Sequence, residues 1–143
     1  MSSLRLPYQT LSPEAYRGFG LAKQALDNSP LGKPLVELVY LRVSQINGCA
    51  FCLEMHAAAL RADGMPQAKL DALAGWRVSA HFGERERLAL AWTEALVDVA
   101  RSHAPDDVFL PLKAVFSDAE ISDLSFAVAL MSAFNRLAIG MRQ

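Results

Sequence analysis

No helix face is left for solvent between Pro34 and Asn47. Leu35, Val36, Leu38, Val39, Tyr40, Leu41, Val43 and Ile46 point in nearly every direction around a helix, so the segment has to be enclosed by other elements. The chain has to supply the enclosure. At 143 residues, 52% of them apolar, it is sized for one domain that buries roughly two thirds of its unfolded surface.

The remaining segments follow the same period. Ser12-Pro13-Glu14 reads as a helix start, with Ser12 as the cap, Pro13 in the first turn and Glu14 near the positive dipole end. This helix should run to about Leu26, and Asp27 to Gly32 breaks it. A helix after Asn47-Gly48 should close at Asp63-Gly64, where glycine takes the left-handed conformation, and Pro66 starts a short one. Gly83-Glu84 opens a long segment holding Leu88, Leu90, Ala91, Trp92, Ala95 and Leu96. Ala104-Pro105-Asp106-Asp107 restarts the chain as a shorter helix ending near Phe116. Ser117-Asp118-Ala119-Glu120 is a capping box, from which the last helix should reach about Gly140. Its uncharged stretch between Asp123 and Arg136 is twelve residues, below the roughly 18 of a bilayer span, which makes it a core or interface helix. No period-two strand pattern, internal repeat or low-complexity linker is present. The expectation is an all-α bundle of about six to seven helices, one domain over residues 1–143.

Charge narrows the partners. Lys plus Arg number 14 against 15 Asp plus Glu, a net charge of -1, so no large electrostatic term draws the chain to nucleic acid or to an anionic membrane. Met1 to Gln9 lacks a charged start followed by an apolar block, so a cytoplasmic location is expected. No Gly-rich phosphate loop or haem attachment motif implies an organic cofactor. Two apolar-all-round helices favour a homo-oligomer.

Cys49 and Cys52, the only cysteines, sit three apart, and His56 follows four after the second. Random placement gives that spacing about once in seventy cases. In a reducing compartment such a pair is a metal site or a cycling couple more often than a staple. At about 100° per residue, Cys49, Cys52 and His56 share an arc of roughly 60°, so the imidazole reaches the second sulfur. The turn at Gly48 places Cys49 at a helix amino end, where free N–H groups favour thiolate. Cβ atoms three apart on a helix lie about 5 to 6 Å apart against the roughly 3.8 Å of a relaxed disulfide, so a bridge should tighten the first turn and reopen readily.

The order Glu37, eleven residues, Cys49, two residues, Cys52, three residues, His56 resembles the active-site motif of the alkylhydroperoxidase AhpD-like proteins of the carboxymuconolactone decarboxylase superfamily. Gly83 to Leu96, Phe116 to Ile121 and Phe134 to Leu137 look like the same group, and the likeness spans roughly residues 31–140. The resemblance implies an AhpD-like helical bundle that assembles as trimers or hexamers and reduces organic hydroperoxides. Glu37 would polarise His56, His56 would take the proton of Cys52, Cys52 would be peroxidatic and Cys49 resolving, and a dithiol protein or small thiol would restore the pair. Phe51 stands where better-studied members carry a histidine, so one proton-transfer group is missing. The family's lyase branch does not use the cysteine pair.

Other readings compete. The cysteines read also as small apolar core residues, or as a zinc site with His56 that His81, His103 or Asp63 would complete. His56 reads as an idle imidazole and Glu37 as a surface ion pair with Lys33. Tyr40 and Trp92 are expected in the core with their polar atoms bonded locally. Asn135 and Arg136 suit a buried polar network or a subunit contact, and His81 and His103 fall in loops. Two further activities stay open: a redox sensor or assembly protein without turnover, and a lyase using His56 and Glu37 as acid and base.

Overall fold

The computed structural model describes residues 3–143. Its α-helices are α1 (Tyr8–Leu11), α2 (Pro13–Asp27), α3 (Lys33–Asn47), α4 (Ala50–Ala62), α5 (Gln67–Asp71), α6 (Glu84–Val97), α7 (Val99–Ser102), α8 (Asp106–Phe109) and α9 (Asp118–Met141). Two 3-10 helices, Leu73–Val78 and Leu110–Ala114, complete the set, and no strand occurs among the described residues. The fold is all-α, as expected, but among the described residues nine α-helices and two 3-10 helices replace the expected six to seven. The surplus consists of short pieces. The single helix expected up to Phe116 is split because Pro111 has no N–H to donate to the turn before it, so α8 gives way to the 3-10 segment.

α3 is the hub. Every residue from Leu35 to Ser44 except Arg42 is buried. It packs most extensively against α4 and α9, then against α6. Its two sides serve two cores: Val36, Val39, Tyr40 and Val43 pack with Trp92, Leu124, Val128 and Met131, whereas Leu38 and Leu41 pack with Leu60, Leu70, Leu73, Trp76 and Leu90. Burying each such aliphatic side chain contributes about 1.5–3 kcal/mol relative to leaving it in water, which is why the apolar segment becomes the centre. Leu26 of α2 joins the first core, so packing extends ahead of residue 31.

The helix ends explain the joints. Ser117 caps α9, accepting the Glu120 N–H at 3.1 Å while the Glu120 carboxylate accepts the Ser117 N–H at 2.9 Å. Gly48 closes α3 at φ +72°, a conformation that costs a β-carbon roughly 1–2 kcal/mol. Ser12 departs from expectation. It stands before α2 without a side-chain cap bond, because its N–H already closes α1 onto the Tyr8 carbonyl and its backbone follows that turn. α9 is also longer in apolar terms than its uncharged centre implies: its 24 residues are long and apolar enough to cross a bilayer by length and composition. Its packing against α3, α6 and α2 is that of a core helix.

Candidate functional site

The site forms where α3 hands over to α4. Gly48 turns the chain, and the N–H groups of Gly48 and Cys49 both donate to the Ser44 carbonyl, at 2.9 and 3.1 Å. Cys49 is thereby the residue before α4, with extended backbone, and its sulfur accepts the Cys52 N–H at 3.4 Å. Cysteine thus occupies the capping position that serine or aspartate usually fills. Cys49 and Cys52 are joined as a disulfide with a Cα–Cα distance of 5.3 Å. Cys49 stands just outside the helix, so its Cα–Cβ direction is set by extended backbone rather than by a helical turn.

Cys52 and His56 lie one turn apart on α4, and both are buried. The His56 Nδ1 lies 2.7 Å from a Glu37 carboxylate oxygen, with both side chains at most 5% exposed. Glu37 therefore meets His56 from α3 rather than pairing with Lys33 at the surface. A carboxylate in this contact accepts from Nδ1, and an imidazole that donates from Nδ1 alone has its lone pair on Nε2. That Nε2 is buried and has no hydrogen-bond partner among the described residues. Tyr40, whose ring lies 5.2 Å from the imidazole centroid to centroid, is the same: its hydroxyl is buried without a partner. The expectation of a locally bonded Tyr40 fails because its ring is driven into the middle of the core by α3. Burial raises the Tyr40 phenol well above its ordinary value, and the charges of Asp27 and Glu37 push the same way. Trp92 does bond, donating to the Ser125 hydroxyl at 3.0 Å.

A polar network braces the turn from behind. Asn47 donates to the Asn135 side-chain oxygen, Asn135 donates to the Ser44 hydroxyl, and Ser44 donates to the Tyr40 carbonyl, at 3.1, 3.1 and 2.8 Å. Asn135 is wholly buried, while Arg136 is exposed and turned back onto the Ser132 carbonyl. The structure does not bring His81, His103 or Asp63 to the sulfurs as a metal site: among the described residues no group of three or more His, Cys, Asp or Glu side chains is placed to hold a metal ion.

Each sulfur borders its own cavity. Cys52 faces one of about 310 Å³, mostly apolar, walled by Tyr8 and Tyr16 from the first helices, Met55 from α4, and Met131 and Phe134 from α9. Cys49 faces a smaller groove of about 190 Å³ that Arg142 helps to line. Phe51, Ala138 and Gln143 belong to both, and Phe51 is 42% exposed between them. Sequence reasoning missed Tyr8, Tyr16, Lys23 and Met131. Tyr16, Lys23 and Met131 converge through the docking of α2 on α9 and Tyr8 joins them from α1, and no local pattern announces that.

An all-α scaffold that backs a buried cysteine pair with a His–Glu pair is AhpD-like, and the chain belongs to the carboxymuconolactone decarboxylase family, whose model matches residues 13–95. The uncharacterized protein YdfG of Bacillus subtilis is 26% identical over 97% of this chain and 95% of its own. A crystal structure of ATU0492 from Agrobacterium tumefaciens, a protein of unknown function provisionally assigned to antioxidant defence as AhpD, superposes with a TM-score of 0.94 at 37% identity over 99% of this chain and 97% of that one. An uncharacterized peroxidase-related protein from Ralstonia eutropha with an alkylhydroperoxidase AhpD core gives a TM-score of 0.80 at 26% identity, covering 94% and 73%.

Proposed function

We propose that the chain reduces organic hydroperoxides through a Cys49–Cys52 dithiol/disulfide cycle. The observation that carries this reading is the buried pair of sulfurs beside a mostly apolar cavity of about 310 Å³, with His56 one turn along α4 and Glu37 fixing its Nδ1. In the reduced protein Nε2 of His56 takes the Cys52 proton, and the thiolate attacks the distal peroxide oxygen. The O–O bond breaks and the alcohol leaves, taking a proton, while Cys52 becomes a sulfenic acid. Cys49 then attacks that sulfur, water leaves, and the disulfide closes. Two electrons have passed from two thiols to one peroxide. An external thiol returns them.

Antioxidant defence is the role we infer from this chemistry. Phe51 carries no proton, so His56 alone serves the second sulfur and Phe51 contributes apolar wall in its place. The test is steady-state consumption of cumene hydroperoxide with excess dithiothreitol, and stopped-flow oxidation of the reduced protein. Turnover beyond one equivalent is expected, with Cys52→Ser inactive and Cys49→Ser halting at a trappable sulfenic acid. Consumption that stops at one equivalent would reduce the protein to a sensor. An activity that survives replacement of both cysteines would make it a lyase.

A further inference from the structure

Cys49 and Cys52 are both nearly inaccessible from outside, at 1% and 3% exposure, so anything that reacts with them arrives through a cavity. The two cavities differ in chemistry. The one at Cys52 has a single charged side chain on its wall, Lys23, and that ammonium is held by Asp27 at 3.2 Å, which leaves an apolar, charge-neutral space. The groove at Cys49 also has one charged side chain on its wall, Arg142. It is exposed, its guanidinium donates only to the Ile139 carbonyl at 2.6 Å, and it has no carboxylate partner among the described residues. Phe51 stands between the two spaces.

We propose that the two halves of the cycle use separate entrances: the hydroperoxide reaches Cys52 through the tyrosine-walled cavity, and a small thiol bearing a carboxylate reduces the disulfide at Cys49 through the Arg142 groove. The proposal rests on the peroxidase reading for its first half only. In the second half the incoming thiolate attacks the Cys49 sulfur, a new S–S bond forms there, and the Cys49–Cys52 bond breaks with its electron pair leaving on Cys52. Cys52 takes up a proton, His56 being one turn away. A second thiol of the same kind attacks the sulfur of the bound reductant, releasing a symmetric disulfide and the Cys49 thiolate. Two thiols are oxidised and one protein disulfide is reduced. Arg142 holds the carboxylate of the entering reductant, because opposite charge in the groove raises the encounter rate.

Two variants separate the entrances. Arg142→Glu reverses the charge at the groove. Gly20→Leu fills the Cys52 cavity: a β-carbon on Gly20 meets nothing within 4 Å, and leucine is the better helix former. Protein oxidised with diamide is reduced with mercaptoacetate or with cysteamine at equal thiolate concentration, and free thiols are counted by quenched alkylation. The expected result is a mercaptoacetate-to-cysteamine rate ratio that falls about ten-fold or more in Arg142→Glu, with oxidation by cumene hydroperoxide unchanged. Gly20→Leu should slow that oxidation about ten-fold and leave the mercaptoacetate reduction unchanged. Peptide mapping after a short mercaptoacetate pulse should find the adduct on Cys49. An unaltered ratio in Arg142→Glu, an adduct on Cys52, or a Gly20→Leu variant that slows both halves equally or neither would overturn the division. Wild-type thiols that resist hydroperoxide would overturn the peroxidase reading, and the Arg142 ratio on diamide-oxidised protein would still decide the groove.

Discussion

Glu37 sits among Val36, Leu38 and Val39, all buried, and a carboxylate in that company has to meet a donor. The donor is His56. On the peroxidase reading, Glu37→Gln keeps the shape of the contact but removes the charge that orients the imidazole, and stopped-flow oxidation of the reduced protein should slow about ten- to hundredfold. Tyr40 is the opposite case. Its hydroxyl makes no hydrogen bond among the described residues, so Tyr40→Phe should change stability by less than about 1 kcal/mol in urea denaturation. At this scale the sequence was legible for the nearness of Cys52 and His56 and for the buried partner of Glu37, because spacing along one helix and an apolar context around a charge both have direct geometric consequences. It was silent on Tyr8, Tyr16 and Arg142. Their part comes from where distant segments meet.

Helix boundaries were readable wherever the terminating chemistry was local, as at Gly48, Gly64 and the Ser117–Glu120 box. Ser12 misled because two helices compete for the same backbone there. The short α1 has no apolar period to betray it. Ser117→Ala should cost about 1 kcal/mol of stability, read from the shift in urea midpoint, since it strips the cap from the longest helix. Glu94 on α6 ties together three elements: its carboxylate accepts from Arg42 of α3 at 3.0 Å, and from Trp76 and Arg77 of the first 3-10 helix at 2.9 and 2.5 Å. Burial opposes its ionisation, but the bonds from Trp76, Arg77 and Arg42 outweigh that and hold the carboxyl below its ordinary 4.5. A depressed folded value means that its contribution is complete above pH 4.5 and lost as pH falls through the lower value. Thermal melts from about pH 6 to about pH 3 should therefore lose less stability in Glu94→Gln than in wild type, starting from a baseline about 1–3 kcal/mol lower.

For the whole molecule, one wholly buried asparagine joins the longest helix to the turn that presents the cysteines. Asn135→Leu removes the acceptor of the Asn47 amide and the donor to the Ser44 hydroxyl, which keeps its bond to the Tyr40 carbonyl, and should cost about 2–4 kcal/mol by chemical denaturation. Exposed apolar side chains remain on the outside, among them Phe126 at 64% and Leu110 at 57%. We propose that they pack between copies in a trimer or hexamer, and light scattering of a Phe126→Glu variant should then find smaller assemblies than wild type.

The sulfur at the start of α4 holds a backbone N–H in the bridged form. A thiolate formed at that position when the bridge opens would accept the same N–H as a charge-assisted bond. Opening the bridge would then leave the origin of α4 with a stronger cap than the bridged form gives it.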